Sequence, residues 1–295
     1  MDQKVLESYR KAGKISVQVR QEVLAKIRPG MKILDLAEMI EKRIVELGGH
    51  PAFPVNIGIN EITAHYTPAV NDETVIKPGD LVKIDIGVHV DGYVSDQAFT
   101  YCSEKNDMIA AAVKAVDAGI AAIRPGVKVS EISRAIQEAV KHTGFGVIVN
   151  LTGHGLEQYV IHGSPSIPNV ENENGHVLEE GDVVALEPFI TESNGVVKDS
   201  EPVEIFSFLQ PKPVRVPEAR KILEMSAAEY NGLPFCRRWI VSKGISQFKT
   251  SFSIRQLESV DALTSYPVLK ESRGKPVAQA EHTIIVGNPS IVITK

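Results

Sequence analysis

The sequence predicts an α+β protein made of two similar halves facing each other, with a small helical insertion opened into the second. Three observations lead there: a hairpin signature carrying two aspartates, an internal repeat displaced by 96 to 102 positions, and a change of character over residues 204–266. At 295 residues the chain is long enough for one large core with an addition. A net charge of −5 and a pI near 5.9 argue against a protein built mainly to hold nucleic acid. No apolar run approaches the roughly 18 residues that span a bilayer. The opening MDQKVLESYRKAGK lacks a signal-peptide core, and Cys102 and Cys236 are too few and too far apart for a disulfide framework. The expected compartment is the cytoplasm.

The first 27 residues read as an amphipathic helix, apolar at Ala12, Ile15, Val19, Val23 and Ile27 and stopped by Arg28-Pro29-Gly30. A second helix, with its stripe on Ile33, Leu36, Ile40, Ile44 and Leu47, ends at Gly48-Gly49. A Pro-broken segment with a short strand at 55–59 follows. A third helix over 105–123 shows Ile109, Val113, Val116, Ile120 and Ile123 on one face.

Between these lies LVKIDIGVHVDGYVSDQA, residues 81–98. Asp91-Gly92 is the dipeptide most diagnostic of a tight hairpin. A two-residue turn there pairs Val90 with Tyr93 and sets Asp96 opposite Gly87, on the face that also carries Asp85. The carboxylates become diagonal neighbours, roughly 7–8 Å apart between backbones; a three-residue turn would put them on opposite faces. Either Asp alone is more often bonded to backbone amides or an arginine. Two on one apolar face require a cation, a donor or a proton, and sharing a face moves the reading toward a bound divalent metal.

IRPG at 27–30 recurs at 123–126, 96 positions later, and VIKPGDLVKID (75–85) matches VLEEGDVVALE (177–187), 102 positions later. Asp85 falls on Glu187. Its partner strand is expected far downstream in VAQAEHTIIV (277–286), which carries Glu281, so the second hairpin is opened to admit residues 204–266. The expected division is a catalytic domain of 1–203 and 267–295 and an inserted subdomain of 204–266, with helices at about 217–230, 234–242 and 251–263 and a winged-helix-like form. Residues 211–250 hold eight Lys/Arg and three Asp/Glu, an excess that reads first as a solvated face and second as a contact with ribosomal or other RNA.

Four carboxylates, Asp85, Asp96, Glu187 and Glu281, with one or two imidazoles make the composition of a two-metal hydrolytic site. Oxygen-rich ligation without sulfur suits Mn, Fe(II), Co or Zn. His154, flanked by glycines in GHG, can be aimed inward by a close-packed backbone. His65 (in AHY) and His162 (in IHG) hold nearly symmetric positions in the two halves and suit proton transfer and oxyanion stabilisation. His50, His89, His142, His176 and His282 read as surface or cap residues.

The stretches HPAFPVNIGINEITAHY, KIDIGVHVDGYVSDQAFT, LTGHGLEQYVIHGSPSIPN, ALEPF and AQAEHTIIV resemble, in order, the motifs of type II methionine aminopeptidases, over essentially the full length. The resemblance implies the pseudo-twofold pita-bread (creatinase/aminopeptidase-like) fold. It implies two divalent ions held by Asp85, Asp96, His154, Glu187 and Glu281, with Asp96 and Glu281 bridging. Glu187 would also be the general base of a bridging-hydroxide attack. His65 and His162 would contact the scissile amide, and Phe53 and Tyr266 would wall the methionine pocket. Nascent polypeptide N-termini with a small second residue are the implied substrate. The basic excess adds the ribosome as a further expected partner, and with no sign of an obligate oligomer in the sequence a monomer is expected. The lack of a charged N-terminal extension resembles the archaeal form, and Ala280 before Glu281 is a departure that bears on pocket shape. Two other readings fit the same fold: a catalytically inactive relative that binds RNA or protein, and a proline-specific aminopeptidase.

Overall fold

Helices α1 (Gln3–Leu24) and α2 (Ile33–Glu46) open the first half, followed by β1 (His50–Pro51), β2 (Asn56–Ile59), β3 (Ile62–Ala64), β4 (Val82–Val90) and β5 (Tyr93–Tyr101). The computed structural model describes residues 1–295. β1, β2 and β5 all pair with β4, and the two helices cover the sheet through Val19, Leu36, Ile40, Ile44, Ile57 and Ile84. Asp2 caps α1 by accepting from the Lys4 amide at 2.8 Å. The helix stops at Leu24 rather than 27. Pro29 disfavours helical backbone at Arg28, so Ile27 reaches the core from a turn.

The second half repeats the plan with α3 (Asp107–Ala122), α4 (Val129–Val140), β6 (Gly146–Val147), β7 (Thr152–Glu157), β8 (Val160–Pro168), β9 (Val183–Leu186) and β10 (Phe189–Thr191). The repeat is visible bond by bond. Gly30 and Gly126 both stand at φ 86°, a left-handed backbone that suits glycine. Their amides donate to Ile76 O at 2.7 Å and Leu178 O at 2.8 Å. The amides of Lys77 and Glu179 donate to Asp80 and Asp182, each at 2.8 Å.

On α3 the buried face is Met108, Ala111, Ala112, Ala115, Val116 and Gly119, whereas Val113 is exposed and Ile109 and Ile120 are half-buried. The large apolar residues misdirect the reading because α4 and the sheet approach too closely for them. A Cβ at Gly119 would lie 2.9 Å from Ile136 and from Leu186.

β11 (Val197–Phe208) leaves the second half and leads into α5 (Pro217–Ala228), β12 (Phe235–Cys236), α6 (Arg237–Ser242) and α7 (Gln247–Ser259), and β13 (Leu263–Glu271) returns. These helices enclose an apolar cluster of their own around Phe206, Ile222, Phe235, Ile240, Ile254 and Leu257. α7 starts four residues before the expected 251 because Ser246 caps it, accepting from the Lys249 amide. β11 pairs along β13, which also pairs with β3, so the segment between them is rooted in a sheet shared with the first half. β14 (Ala278–Gln279), β15 (His282–Ile285) and β16 (Ile291–Val292) finish the chain, β14 on β10 and β15 on β9. No helix is long and apolar enough to cross a membrane.

Candidate metal centre and active site

The aspartate hairpin forms with Val90 opposite Tyr93 and Gly87 opposite Asp96. Asp91 and Gly92 have φ of 53° and 85°, the positive pair that a type I′ turn needs. Asp85 and Asp96 therefore share a face. Gly87 has a reason of its own: a Cβ there would lie 2.3 Å from the ring of Phe53, which packs over the strand across from Asp96.

In the second half, His282 pairs with Leu186 and Gln279 with Phe189, so Glu281 lies across from Glu187 at a break in the ladder. Side-chain hydroxyls stitch the halves together there. Thr283 Oγ1 accepts from the Asp96 amide and donates to the Asp96 carbonyl, both at 2.7 Å. The Glu281 amide donates to Ala98 O at 2.8 Å. Thr100 Oγ1 accepts from the Gln279 amide at 2.7 Å and donates to its carbonyl at 2.8 Å. β7 brings His154 in beside Ala185. Its flanking glycines permit this, since a Cβ at Gly153 or Gly155 would sit 2.3 Å from Ala185 O or 2.0 Å from Ser164 O.

Ligand atoms of Asp96, His154 and Glu281 lie within 4.8 Å of one another. His154 Nε2 is 3.5 Å from Glu187 and 4.0 Å from Asp96. Its Nδ1 faces the Gly155 carbonyl at 3.4 Å, which can only accept, so Nδ1 carries the proton and the Nε2 lone pair points at the carboxylates. Burial and then mutual repulsion hold Asp96, Glu187 and Glu281 well above the usual carboxylate range. Burial pushes Asp85 up to about 7, partly offset by a hydrogen bond from Asp96. Burial, with the charge of His162 adding to it, drives His154 down to about 3.

Divalent ions fit this donor set. Asp85 Oδ1 and Asp96 Oδ1 are buried with no hydrogen-bond partner. Four carboxylates carry about four negative charges, which a pair of dications cancels, and a neutral imidazole is the form that ligates.

His65, His162 and Tyr266 stand beside the cluster. The rings of His154 and His162 meet edge to face at 4.9 Å, those of His65 and His162 are 6.5 Å apart, and Tyr266 lies 5.7 Å from His65. His65 has φ 61°, rare for a side chain with Cβ, and Nδ1 donates to Pro267 O at 3.2 Å. Burial brings the His65 imidazole down to about 4, with His162 adding to the shift. One cavity of about 380 Å³ is lined by Asp85, Asp96, His154, Glu187 and Glu281, by His65 and His162, and by Phe53 and Tyr266.

The sequence reading missed several contributors. Ile161, Ile205, Phe189 and Leu269 also line the cavity, yet each looks like ordinary strand residue in its own segment. Asn169 donates to the carbonyls of Leu151 and Glu187 at 3.1 and 3.2 Å; it ends the GSPSIPN run but carried no local sign of this role. His282 is buried rather than on the surface, its Nδ1 2.9 Å from Thr294 Oγ1, because strand alternation points it away from Glu281 into the core. Ala280 packs into the core of the second half, not against the cavity. Half of the basic residues of 211–250 are paired: Arg237 faces Glu204, Arg238 binds Glu41 on α2, Lys243 binds Glu229 and Lys249 binds Glu218.

Carboxylates and an imidazole gathered by two facing, repeated halves define a metal-dependent hydrolase of the pita-bread class. The chain belongs to metallopeptidase family M24, whose profile matches residues 7–222. Divalent-metal dependence comes with that membership. Its relatives there include the methionine aminopeptidase of Thermococcus onnurineus (strain NA1), 48% identical over 98% of this chain and 98% of that protein. The methionine aminopeptidase of Archaeoglobus fulgidus is 46% identical over 100% of this chain and 99% of its own. The crystal structure of methionine aminopeptidase from Thermotoga maritima shares the fold, with a TM-score of 0.73 at 24% identity over 100% of this chain and 98% of that one.

Proposed function

We propose that this chain is a methionyl aminopeptidase that removes the N-terminal methionine from nascent proteins and peptides with a small second residue. The observation that carries this is the single cavity holding a carboxylate–imidazole cluster, two further histidines and an apolar wall. Asp85, Asp96, His154, Glu187 and Glu281 would hold two divalent ions, drawn from Co, Mn, Fe(II) or Zn. When bound, these supply Lewis acidity toward the carbonyl of residue one and toward a water.

The side chains do the rest. Glu187 accepts the proton of the attacking water. His65 spends its Nδ1 proton on Pro267 O, so its neutral Nε2 is an acceptor suited to the scissile amide N–H. His162, facing the same point from the other half, donates to the carbonyl oxygen as charge develops. Phe53, Ile161, Ile205 and Tyr266 enclose the methionine side chain, and the Tyr266 hydroxyl is held 3.2 Å from Ser207 Oγ.

The test is direct. Protein stripped with chelator and reloaded with each of the four metals should release methionine from Met-Gly and Met-Ala peptides. Absence of turnover with every metal rejects the proposal; release of residues before proline instead would support the proline-specific alternative. The proposal extends to residues 204–266 as an inserted subdomain, to a cytoplasmic monomer, and to a ribosomal contact. For that contact Lys212, Arg215, Arg220, Lys221 and Arg255 are the cations of residues 204–266 without an ion pair. Reversal of all five charges should abolish co-sedimentation with ribosomes if they form it.

A further inference from the structure

Glu41 on α2 and Arg238 on α6 meet as a buried ion pair, 8% and 7% exposed. Arg238 Nη1 donates to Glu41 Oε2 at 2.6 Å and Nη2 to Oε1 at 2.9 Å, and Trp239 Nε1 donates to Oε2 at 2.9 Å. Each partner also grips the backbone of one further segment. The Val55 amide donates to Glu41 Oε1 at 3.2 Å. Arg238 Nε donates to Pro68 O at 3.3 Å, and Nη2 to Thr67 Oγ1 at 3.4 Å.

Val55 and Thr67-Pro68 are the two ends of the β2–β3 excursion, and His65 lies within it, three residues before Pro68. His65 sits in left-handed backbone at φ 61°, a conformation that a residue with a Cβ keeps only where its surroundings hold it. A buried ion pair adds little net stability over apolar residues of the same size. What it adds is direction, since a planar guanidinium fork and a carboxylate engage in one geometry only.

We infer that Glu41 and Arg238 are positioning residues for His65: the pair clamps both ends of residues 55–68 and lets the insertion hold the His65 ring over the cavity. The inference rests on the proposed role of His65 in turnover. It separates this pair from the ligand set, because neither residue lines the catalytic cavity.

The experiment is a double-mutant cycle in the full chain loaded with Mn, reading kcat, KM and bound metal on a Met-Ala peptide. Glu41→Gln should lower kcat about tenfold with KM and metal content unchanged. In a His65→Ala background the same substitution should cost under about twofold, because there is no ring left to position. Arg238→Lys, which keeps the charge but loses the fork, should repeat the pattern if Glu41→Gln does not fold. Equal fold-losses in both backgrounds, or loss of metal, would overturn the inference. A His65→Ala enzyme at full rate would remove the role of His65 and the inference with it; an impaired one with additive losses removes the inference alone.

Discussion

The two halves solve one problem with different side chains. In the first, β4 and β5 run as an uninterrupted ladder from Val82↔Tyr101 to Val90↔Tyr93, and its two aspartates are diagonal on one face. In the second, the arms are broken at Glu187-Pro188 and Ala280-Glu281, and the two glutamates lie across from each other at the break. Short carboxylates stand on the rigid arm and long ones on the interrupted arm. A glutamate has one more rotatable bond, so it can reach a shared point from a place where the backbone has stopped being regular. An aspartate needs its strand to do the aiming. The repeat thus conserves backbone position at Asp85 and Glu187 while side-chain length absorbs the local difference.

The largest effect that tests this comparison is removal of a carboxylate from either half. Asp96→Asn and Glu281→Gln should each lower peptide turnover by at least about 100-fold and reduce bound metal measured by mass spectrometry. A nearly normal rate in one of them would mean that its half contributes no ligand. Next comes His65→Ala, expected to cost about 100-fold in kcat with metal content intact; coupled loss of metal would place His65 among the ligands.

A smaller effect is visible in stability against pH. Asp85 holds its proton more tightly folded, at about 7, than unfolded, at 3.8. Its contribution in metal-free protein is full below 3.8 and lost as pH rises through about 7. Asp85→Asn has no proton to lose there, so its Tm advantage over the parent, both treated with chelator, should grow by about 5–8 °C from pH 4 to pH 8. A constant difference would mean that burial does not hold the Asp85 carboxyl above its unfolded value. The smallest effect concerns the symmetric turns. Gly30→Ala and Gly126→Ala share a backbone angle and open surroundings, so each should cost about 1 kcal/mol, and the two Tm shifts should agree by calorimetry. A large inequality would break the equivalence of the two turns.

The hairpin was readable because Asp91-Gly92 sets register locally, and register decides which face every later residue takes. The repeat was readable because turn glycines and capping aspartates must recur wherever the same backbone recurs, as at Gly30 and Gly126 or Asp80 and Asp182. The face of α3 was not readable. Its burial follows from how near α4 comes, and that selects small residues over the more hydrophobic Val113 and Ile109. The fate of Arg238 was hidden for a similar reason: a charge run in sequence does not say which member meets a buried glutamate 197 positions away.

Local chemistry along the chain settled the helices, the aspartate hairpin, the duplicated plan and the residue types able to hold a metal, because each depends on neighbours within a few positions or on a recurring short pattern. Only the folded molecule decided that Ile161, Ile205, Phe189 and Leu269 share a wall, that threonine hydroxyls join β5 to the closing strands, and that Arg238 reaches back to the flanks of His65. Those facts depend on pairing and packing between segments far apart in the chain, where partner choice is set by the whole core and not by any one stretch.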